Sequence, residues 1–330
     1  MIFEEELKLG RKIGSGAEGE VFLARWKGIQ VAAKEFIVRG GKHGEKEARE
    51  SLFKEIRMLA DLTNHPNVVH FCGVCLRKGN LKPLVVTQYY EKGSAHQLLL
   101  KAKSRLDLAP PARKEEALRE LRDLSWAGRL KMLHNVAAAM MFVHSQGVLH
   151  GDLRSPNLFV DSHGKLVVAD FGFGETLPQG AQEVSVKVTT NPRWVAPEAM
   201  HTRRISKASD VYSFAIIMYE VGGVTDGGRM LTWTMPYHNC NDGTVCIAKR
   251  IQDSNFVGVT PEVPQLPPDE QLPLAPRGRH LEQYKQLMTA CWDPDPSKRP
   301  TFKRVTALLE KQQKIVDCSD GINCWVMLLT

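Results

Sequence analysis

Three polar residues, Asp152, Asn157 and Asp170, flank two short apolar runs in the middle of the chain. The runs at 158–160 and 166–168 are joined by turn-forming residues, which predicts a β-hairpin. Such a hairpin brings Asn157, just before its first strand, next to Asp170, just after its second. Carboxylate and amide oxygens suit Mg²⁺ that is bound together with phosphate oxygens. The pattern therefore indicates a magnesium and phosphate site, although a turn rich in Asp and Asn also has a purely structural interpretation.

A glycine-rich run, GSGAEGEV at 14–21, is a second candidate for contact with phosphates. Dinucleotide-binding folds use the same glycine spacing, but a helix follows their glycines, and here the apolar residues 21–24 predict a strand. Glycines in a hairpin allow the backbone to close over phosphates, and Lys34 on the next strand can reach them as a point charge. Ala32 shares the face of Lys34 by strand alternation, and its small side chain leaves room for a flat ligand.

Glu55 lies at the edge of the apolar stripe of a predicted helix. The stripe consists of Ala48, Leu52, Ile56 and Leu59, which recur at helical spacing. A carboxylate directed at a core is costly unless it is paired, and Lys34 is the predicted partner. An exposed position for Glu55 is the alternative.

The elements around these residues change in type along the chain. The first part is rich in predicted strands, and the remainder is mostly helical. No internal repeat is apparent. The predicted strands are 7–13, 20–25, 30–36 and 84–90, and the predicted helices are 45–62 and 129–144.

Two stretches, 101–128 and 224–239, have the composition of insertions. Residues 261–276 contain six of the 18 prolines, which favours an ordered surface connector over a PxxP ligand.

The composition excludes several classes of protein. The chain has 330 residues, of which 43% are hydrophobic and 25% charged, which is typical of a folded chain and not of a disordered one, a fibre or a disulfide scaffold. The net charge of +7 fits a nucleic-acid binder and an enzyme for phosphorylated ligands equally well.

The seven cysteines are odd in number and scattered, as in a reduced intracellular protein. Cys72 and Cys75 form one CxxC without a matching pair, which favours two thiols in a buried strand over a zinc site. No secretory signal is visible, and the most apolar stretch, 211–224, is interrupted by Ser213 and Glu220. We therefore expect a cytoplasmic protein without a membrane span.

The motifs, taken in order, resemble a eukaryotic protein kinase domain from about Leu7 to Leu309. The forms PRWVAPE and DVYSFA are similar to the tyrosine-kinase and tyrosine-kinase-like branches, and HxDLRSPN most resembles the Roco-type domains within the latter branch. The matching positions are the glycine-rich loop 14–21, VAAK at 31–34, Glu55, HGDLRSPN at 150–157, DFG at 170–172, APE at 196–198, Asp210 and Arg299.

The resemblance implies an α+β bilobal fold, with a small antiparallel β-sheet lobe plus one helix and a larger, mainly helical lobe. The expected kinase domain covers 1–315, with the small lobe at about 1–88 and the large lobe at about 91–315. Residues 316–330 are expected to form a C-terminal tail.

The resemblance also implies roles for individual residues, with ATP and Mg²⁺ as cofactors. Lys34, oriented by Glu55, holds the α- and β-phosphates, and Asn157 and Asp170 bind Mg²⁺. Asp152 positions the acceptor hydroxyl and accepts its proton, and Arg154 helps to neutralise the γ-phosphate. The expected cofactor-binding residues are Ile13, Gly14, Gly16, Gly19, Val21, Ala32, Lys34, Glu55, the gatekeeper Thr87, the hinge residues Gln88 and Tyr90, Phe159 and Asp170.

Other matches are expected to be structural. By the resemblance, His150 packs beneath Phe171, and Glu198 pairs with Arg299. Two departures from the family pattern matter. Gly151 replaces an Arg that pairs with a phosphorylated activation loop, and Asn191 replaces a Thr of the substrate-binding loop in serine/threonine kinases.

The function implied is transfer of the γ-phosphoryl group of Mg·ATP to Ser or Thr hydroxyls of protein substrates in signalling. A tyrosine-directed or dual-specificity kinase is the nearest alternative, and a nucleotide-binding pseudokinase scaffold is an alternative of another class. A small-molecule kinase is disfavoured by the intact PRWVAPE segment. We expect no nucleic-acid partner, and regulatory domains or partner proteins would lie outside this chain.

Overall fold

The fold is described from a computed structural model of the chain. The structure describes residues 1–16, 19–36, 41–77, 80–108, 110, 124–186, 191–222 and 279–319. The predicted insertion at 224–239, the proline-rich stretch 261–276 and most of the predicted tail lie outside these residues. Within the insertion predicted at 101–128, the part at 111–123 also lies outside them.

A five-stranded antiparallel sheet forms the small lobe, in the order β1-β2-β3-β5-β4. The predicted strands are confirmed, but the one expected at 84–90 begins at Asn80 and ends at Gln88. Gln88 is the last residue that pairs with β3, so Tyr89 and Tyr90 leave the sheet. The strands are β1 Leu7–Ser15, β2 Gly19–Trp26, β3 Ile29–Phe36, β4 Phe71–Arg77 and β5 Asn80–Gln88.

Side chains alternate across β3 as the sequence predicts. Val31 and Ala33 are fully buried in a small core on one face of the sheet. Ala32 and Lys34 are half-buried on the opposite face. The free thiols of Cys72 and Cys75 lie on β4, as predicted, and burial raises the pKa of both.

Helix α1, Gly41–Leu62, packs against the sheet and begins before the predicted residue 45. Its apolar stripe enters the main hydrophobic core through Leu52 and Leu59, with Ile56 packed at the edge. Glu55 is only 3% exposed, so the stripe holds a buried carboxylate. The expectation that Glu55 faces the core is confirmed.

The large lobe is mainly helical, which confirms the predicted α+β class. Helix α3 begins at Trp126, before the predicted residue 129, because the hydroxyl of Ser125 caps it by accepting a hydrogen bond from the Gly128 amide at 3.1 Å. The helices of this lobe within the described residues are α2 Ala95–Leu108, α3 Trp126–Ser145, α4 Pro197–Thr202, α5 Lys207–Gly222, α6 Arg279–Cys291 and α7 Phe302–Ser319.

Helix α5 runs through the centre of this lobe, and every residue of 209–222 is buried. A helix that is apolar on all sides must be covered by the rest of the domain, so the few polar groups on it need partners. Helix α7 contacts α3 and continues past residue 315, with Val316 in the main core. None of the helices in the described part of the chain has the length and apolarity to cross a membrane.

Three two-stranded ladders position the loops of the large lobe. In order, β6 Val148–Leu149 pairs with β9 Glu175–Thr176, β7 Leu158–Val160 with β8 Leu166–Val168, and β10 Glu183–Ser185 with β11 Arg204–Ser206. The β7–β8 pair is the predicted hairpin. The Val69 amide donates to the Val168 carbonyl at 2.8 Å, which ties this hairpin to the chain that leads into β4.

The predicted ion pair between Glu198 and Arg299 is present and lies at the junction of three helices. The Arg299 side chain is fully buried, and its guanidinium donates to the two carboxylate oxygens of Glu198 at 2.6 and 2.9 Å. It also donates to the carbonyl oxygens of Ala208 and Asp293. A planar guanidinium can satisfy all these acceptors at once.

Replacing Arg299 by Ala should destabilise the chain strongly, because it leaves Glu198 and two carbonyl groups without their donor. We expect Arg299→Ala to lower the free energy of unfolding by about 3–5 kcal/mol in urea denaturation. The matched control is Lys298→Ala, which removes an exposed cation and should cost roughly 0.5 kcal/mol or less. Equal effects of the two variants would contradict the proposed importance of the buried pair.

Candidate active site

An ion-pair network joins the two lobes. The Lys34 ammonium donates to the carboxylate oxygens of Glu55 at 3.0 and 3.1 Å and to Oδ1 of Asp170 at 3.3 Å. The predicted Lys34–Glu55 pair is thus present. The network connects β3, α1 and the segment after β8, so a cation that can reach a phosphate is held at a defined place.

Asp170 occupies the position that the hairpin predicts. The Ala169 amide donates to the Asn157 carbonyl at 3.0 Å, which holds the two ends of the hairpin together. The backbone of Asp170 is left-handed, with φ of 64°. Burial opposes ionisation of this carboxyl, but the charges of Lys34, His150 and Arg154 keep its pKa below the ordinary value.

Asp152 lies beside Asn157 in a buried turn. Its Oδ2 accepts hydrogen bonds from Nε of Arg154 at 2.9 Å and from Nδ2 of Asn157 at 2.8 Å. The amide nitrogen of Asn157 also donates to the Asp152 backbone carbonyl at 2.9 Å. Because the amide nitrogen serves Asp152, the amide oxygen of Asn157 is the atom available to a cation. Together with the Asp170 carboxylate, it forms a hard oxygen donor set that fits a divalent metal.

The chain just before Asp152 is fastened to α5 by one carboxylate. Asp210 accepts hydrogen bonds from the backbone amides of His150 at 2.9 Å and Gly151 at 3.1 Å, and from Nε2 of His144 at 2.8 Å. Burial opposes its ionisation, but these donors keep the pKa of Asp210 below its ordinary value. The His150 ring packs on Phe171 with 4.9 Å between centroids, as predicted, and lies 3.1 Å from the Ala169 carbonyl oxygen.

The glycine-rich hairpin is connected to the same cleft through β2. Val21 pairs with Gly14 on β1 and with Lys34 on β3, so the residues expected to contact the nucleotide are adjacent. A side chain at Gly19 would overlap the carbonyl oxygen of Glu35, and this close approach requires glycine. The Gly16 amide donates to the Gly19 carbonyl at 2.9 Å and closes the described part of the turn. Ile13 is half-buried near the end of β1.

The expected hinge follows β5. Thr87 pairs with Ala32 on β3, so it borders the face that carries Lys34. The Gln88 amide donates to the His70 carbonyl at 2.9 Å. Tyr90 is buried, and burial raises the pKa of its hydroxyl to about 12. Its ring stacks on the ring of Phe159 in β7, with 5.9 Å between the ring centroids.

The structure brings Lys34, Glu55 and Asp170 together, and Asp152, Arg154 and Asn157 together. Strand pairing connects Gly14, Val21, Ala32 and Thr87 to the strand that carries Lys34.

Gly151 has a conformation that few other residues adopt. Its φ is +71°, and a Cβ at this position would lie 2.6 Å from the Phe173 carbonyl oxygen and 3.1 Å from Cδ1 of Ile205. Gly151 replaces the Arg of the family motif, and the backbone at this position leaves no space for a side chain. Four residues between Asp170 and Glu198 carry a hydroxyl group that could accept a phosphate, namely Thr176, Ser185, Thr189 and Thr190. Thr176 and Ser185 are exposed, whereas residues 187–190 lie outside the described ranges.

Glu220, which interrupts the apolar run 211–224 in the sequence, is a further buried polar residue beside the site. It is 1% exposed on α5, and it accepts hydrogen bonds from Oγ of Ser155 at 3.0 Å and from Nε1 of Trp194 at 3.1 Å. Burial raises the pKa of Glu220 to about 7, although these two bonds and the charge of Arg193 oppose the shift. The available signal was a carboxylate within a long apolar helix, because such a group requires donors from elsewhere.

Comparison with known proteins agrees with this geometry. The family model for protein tyrosine and serine/threonine kinases matches residues 7–309. The chain is 30% identical over 307 residues to the probable serine/threonine-protein kinase drkA of Dictyostelium discoideum, covering 92% of the chain and 39% of that protein. It is 31% identical over 307 residues to the serine/threonine-protein kinase CTR1 of Arabidopsis thaliana, covering 92% of the chain and 31% of that protein.

A third relative is named as a dual specificity kinase. The chain is 30% identical over 306 residues to the dual specificity protein kinase pyk3 of Dictyostelium discoideum, covering 93% of the chain and 18% of that protein. The chain thus spans less than two fifths of the length of these relatives. They support the tyrosine-kinase-like branch, and the closer resemblance to Roco-type domains stays a prediction.

The raised pKa of Glu220 predicts a pH-dependent stability difference between the chain and its Glu220→Gln variant. The folded chain binds this proton more tightly than the unfolded one, so the contribution is present below the ordinary value of 4.5 and is lost as the pH rises to about 7. Glutamine does not titrate. Between about pH 5 and pH 8, we expect the variant to gain about 3 kcal/mol in unfolding free energy relative to the parent.

Chemical denaturation over this pH range measures the difference. Glu282→Gln, at an exposed position on α6, is the matched control for the replacement itself. A pH trend for Glu220→Gln that equals the trend of this control would contradict the raised pKa.

Proposed function

The chain belongs to the protein tyrosine and serine/threonine kinase family, and we propose that it transfers the γ-phosphoryl group of ATP to Ser and Thr hydroxyls of protein substrates. The observation that carries this proposal is the convergence of Lys34, Asp152, Asn157 and Asp170 in one cleft. A pseudokinase scaffold characteristically lacks one of these four groups, and here all four are present with their partners.

The nucleotide would lie between the glycine-rich hairpin and the hinge. The small side chain of Ala32 and the ring of Phe159 would enclose the adenine, and the backbone of 88–90 would supply its hydrogen bonds. Lys34, held by Glu55, would reach the α- and β-phosphates as a fixed positive charge. The family requires a divalent metal with ATP, and we propose Mg²⁺, held by Asn157 and Asp170. This metal neutralises phosphate charge when bound.

Asp152 would act on the acceptor hydroxyl. Its carboxylate is oriented by Arg154 and Asn157, so it can hold the hydroxyl in line with the γ-phosphorus and accept its proton. The oxygen of the acceptor forms the new bond to phosphorus, the bond to the β,γ-bridging oxygen breaks, and ADP leaves. Arg154 would offset part of the negative charge on the transferring group.

The second part of the proposal is that the phosphoryl group goes to Ser and Thr and not to Tyr. Relatives named as serine/threonine kinases favour Ser and Thr, whereas the relative named as dual specificity and the PRWVAPE segment keep tyrosine as the second candidate. Asn191, in place of the Thr usual in serine/threonine kinases, immediately precedes that segment. Its Oδ1 accepts a hydrogen bond from the Arg193 amide at 3.2 Å, so it shapes the loop through the backbone.

The domain limits and partners are also proposals. We propose a kinase domain at 1–315, divided near residues 88–91, with protein substrates as partners. Because the chain spans less than two fifths of its relatives, regulatory domains or partner proteins would lie outside it. The need for ATP and the free thiols of Cys72, Cys75 and Cys291 support a cytoplasmic location.

The direct test is incubation of the chain with labelled ATP, Mg²⁺ and pooled peptides that each contain one Ser, Thr or Tyr. Phosphoamino-acid analysis of the products identifies the acceptor. Label on phosphoserine or phosphothreonine is the expected result. Label on phosphotyrosine alone would overturn the acceptor class, and ATP binding without transfer would favour the pseudokinase alternative.

Asp152→Asn should separate binding from catalysis, because it removes the proton acceptor and leaves the nucleotide contacts in place. We expect turnover to fall by roughly a hundredfold or more. The affinity for a non-hydrolysable ATP analogue, measured by calorimetry, should change little. Asp61→Asn, at an exposed position on α1, is the matched control. Turnover of Asp152→Asn within a few-fold of the parent would remove this residue from its proposed role.

The activation segment, residues 170–198, is tied to the rest of the chain by contacts of its own side chains and backbone. The Lys54 ammonium on α1 donates to Glu175 at 2.8 Å, and β10 pairs with β11, followed by a hydrogen bond from the Val186 amide to the Arg203 carbonyl at 2.8 Å. Gly151 offers no counter-charge for a phosphate. These contacts support the proposal that phosphorylation of the segment is not the main switch.

Removal of phosphate from the activation segment should therefore leave the enzyme active. The variant with Thr176, Ser185, Thr189 and Thr190 all changed to Ala, and the phosphatase-treated parent, should both retain activity within roughly threefold of the untreated parent. Thr189→Ala and Thr190→Ala are also measured singly, because both lie next to the PRWVAPE segment at 192–198, where the family docks peptides. The proposal would be contradicted if dephosphorylation removed nearly all activity and rephosphorylation of one site restored it. Another cation, such as Arg204 beside Ser185, would then pair with the phosphate in place of the missing Arg.

A further inference from the structure

A basic run, HTRRISK at 201–207, follows closely after the PRWVAPE segment at 192–198, which we call the docking segment. The side chains of Arg203 and Lys207 are exposed, and neither forms an ion pair with another residue in the described part of the chain. Arg204, which lies between them, is paired with Glu183 at 2.5 Å. The run therefore presents two cations that the described residues do not neutralise.

Local structure disfavours both of these cations. Arg203 ends helix α4 with a left-handed backbone, at φ of 53°, where glycine is the usual residue because it has no Cβ. Lys207 is the first residue of α5, where the positive end of the helix dipole repels a cation. Residues that break local rules in this way are expected where a function requires them. The two positive charges are thus candidates for a role in binding.

The basic run lies beside the proposed catalytic base. Ile205, in the middle of the run, is buried, and its Cδ1 is 3.1 Å from the point that a Cβ on Gly151 would occupy. Gly151 directly precedes Asp152. Ile205 and Asp152 also line one small cavity together with Trp194 and Val195 of the docking segment. The run therefore packs against both the loop and the segment that would hold the acceptor peptide.

Arg203 is joined to the chain on both sides of the docking segment. Its carbonyl accepts a hydrogen bond from the Val186 amide at 2.8 Å, and its amide donates to the Ala199 carbonyl at 3.0 Å. Val186 precedes the docking segment along the chain, and Ala199 directly follows it. The exposed guanidinium of Arg203 thus belongs to a residue at the border of the docking segment.

The carboxylates of this region are all engaged. The chain from β10 to the first turn of α5 contains three, Glu183, Glu198 and Asp210. Glu183 pairs with Arg204, Glu198 pairs with Arg299, and Asp210 accepts hydrogen bonds from backbone amides. A ligand at this surface would therefore meet the charges of Arg203 and Lys207 without a free carboxylate from this stretch. Such a surface attracts an acidic ligand and repels a basic one.

We propose that this surface selects acceptor peptides with acidic residues close to the Ser or Thr, and that Arg203 and Lys207 are the specificity-determining residues. This proposal rests on the proposed kinase function and names the substrate class of the same site. An exposed pair of opposite charges contributes up to about fivefold to an affinity. Two cations can therefore give a preference that steady-state kinetics resolves.

A set of peptides measures the preference of the parent chain. Each peptide has one Ser and one Glu, and the Glu is placed in turn at the four positions on either side of the Ser. The reference for each peptide has Gln in place of Glu. We expect kcat/KM for the best Glu peptide to exceed that of its Gln reference by about fivefold. A salt concentration of about 0.5 M should bring this ratio close to one, because salt screens exposed charges.

Arg203→Gly separates the charge from the backbone, because glycine adopts the left-handed conformation without strain. It should lower the Glu/Gln ratio by about threefold and should not lower the melting temperature. Lys207→Gln should lower the ratio by a similar factor. The matched control is Arg25→Gln, which removes an exposed cation from β2 of the small lobe and should leave the ratio unchanged.

Reversal of the charge gives a readout that a structural role would not produce. Arg203→Glu should prefer Lys to Glu at the same peptide position. A general loss of activity without a change in preference would indicate that the side chain only supports the fold of the docking segment and would contradict the proposal.

A binding measurement tests the surface without phosphoryl transfer. The best Glu peptide and its Gln reference are made with Ala in place of Ser, and their affinities are compared by fluorescence anisotropy in the presence of a non-hydrolysable ATP analogue. A parent chain that phosphorylates no peptide would refute the proposed function. Tighter binding of the Glu form by the parent, and not by Arg203→Gly, would still support the acidic ligand.

Two results would overturn the proposed selection. One is a parent chain with equal kcat/KM and equal affinity for the Glu and Gln forms at every position. The other is a Glu/Gln ratio that both Arg203→Gly and Lys207→Gln keep at the value of the parent. If, in addition, single-stranded DNA bound to the parent and not to Arg203→Gly, the surface would be assigned to nucleic acid instead.

Discussion

The hydrogen bonds between the Asp210 carboxylate and the backbone amides of His150 and Gly151 are the interactions on which the site depends. They fasten the chain before Asp152 to a helix that is buried on all sides. From this fixed point, the turn 155–157 and the β7–β8 hairpin place Asn157 and Asp170. Movement of α5 relative to this chain would displace Asp152, Asn157 and Asp170, the large-lobe groups proposed to act on the metal or the acceptor.

The same helix carries two buried carboxylates with opposite pKa shifts. Asp210 accepts hydrogen bonds from two backbone amides and from the His144 ring. These donors outweigh the cost of burial, so the pKa of Asp210 is lowered. Glu220 has one hydroxyl and one indole donor, and burial outweighs them, so its pKa is raised to about 7. Helix α5 thus carries two carboxylates of different character. Asp210, beside the catalytic loop, stays ionised, whereas Glu220, between the loops of Ser155 and Trp194, titrates near neutral pH.

Much of the site was predictable because its determinants are local. The alternation of β3 places Ala32 and Lys34 on one face, and the period of α1 places Glu55 at the edge of the apolar stripe. The turn residues between β7 and β8 bring Asn157 and Asp170 together. In each case, neighbouring residues set the direction of a side chain, so a single segment carries the information. The boundaries were less predictable, since the start of α3 depends on the Ser125 cap and the end of β5 on pairing with β3.

By itself, the sequence determined the fold class, the ordered series of motifs and the side chains that converge in the cleft. Only the tertiary structure decided that Gly151 has no room for a side chain, because Phe173 and Ile205 come from other segments. It also decided the partners of Glu220, which are 65 and 26 residues away along the chain. The physical reason is that residue spacing sets the direction of a side chain, whereas the donors that a buried polar group meets are set by packing between distant segments.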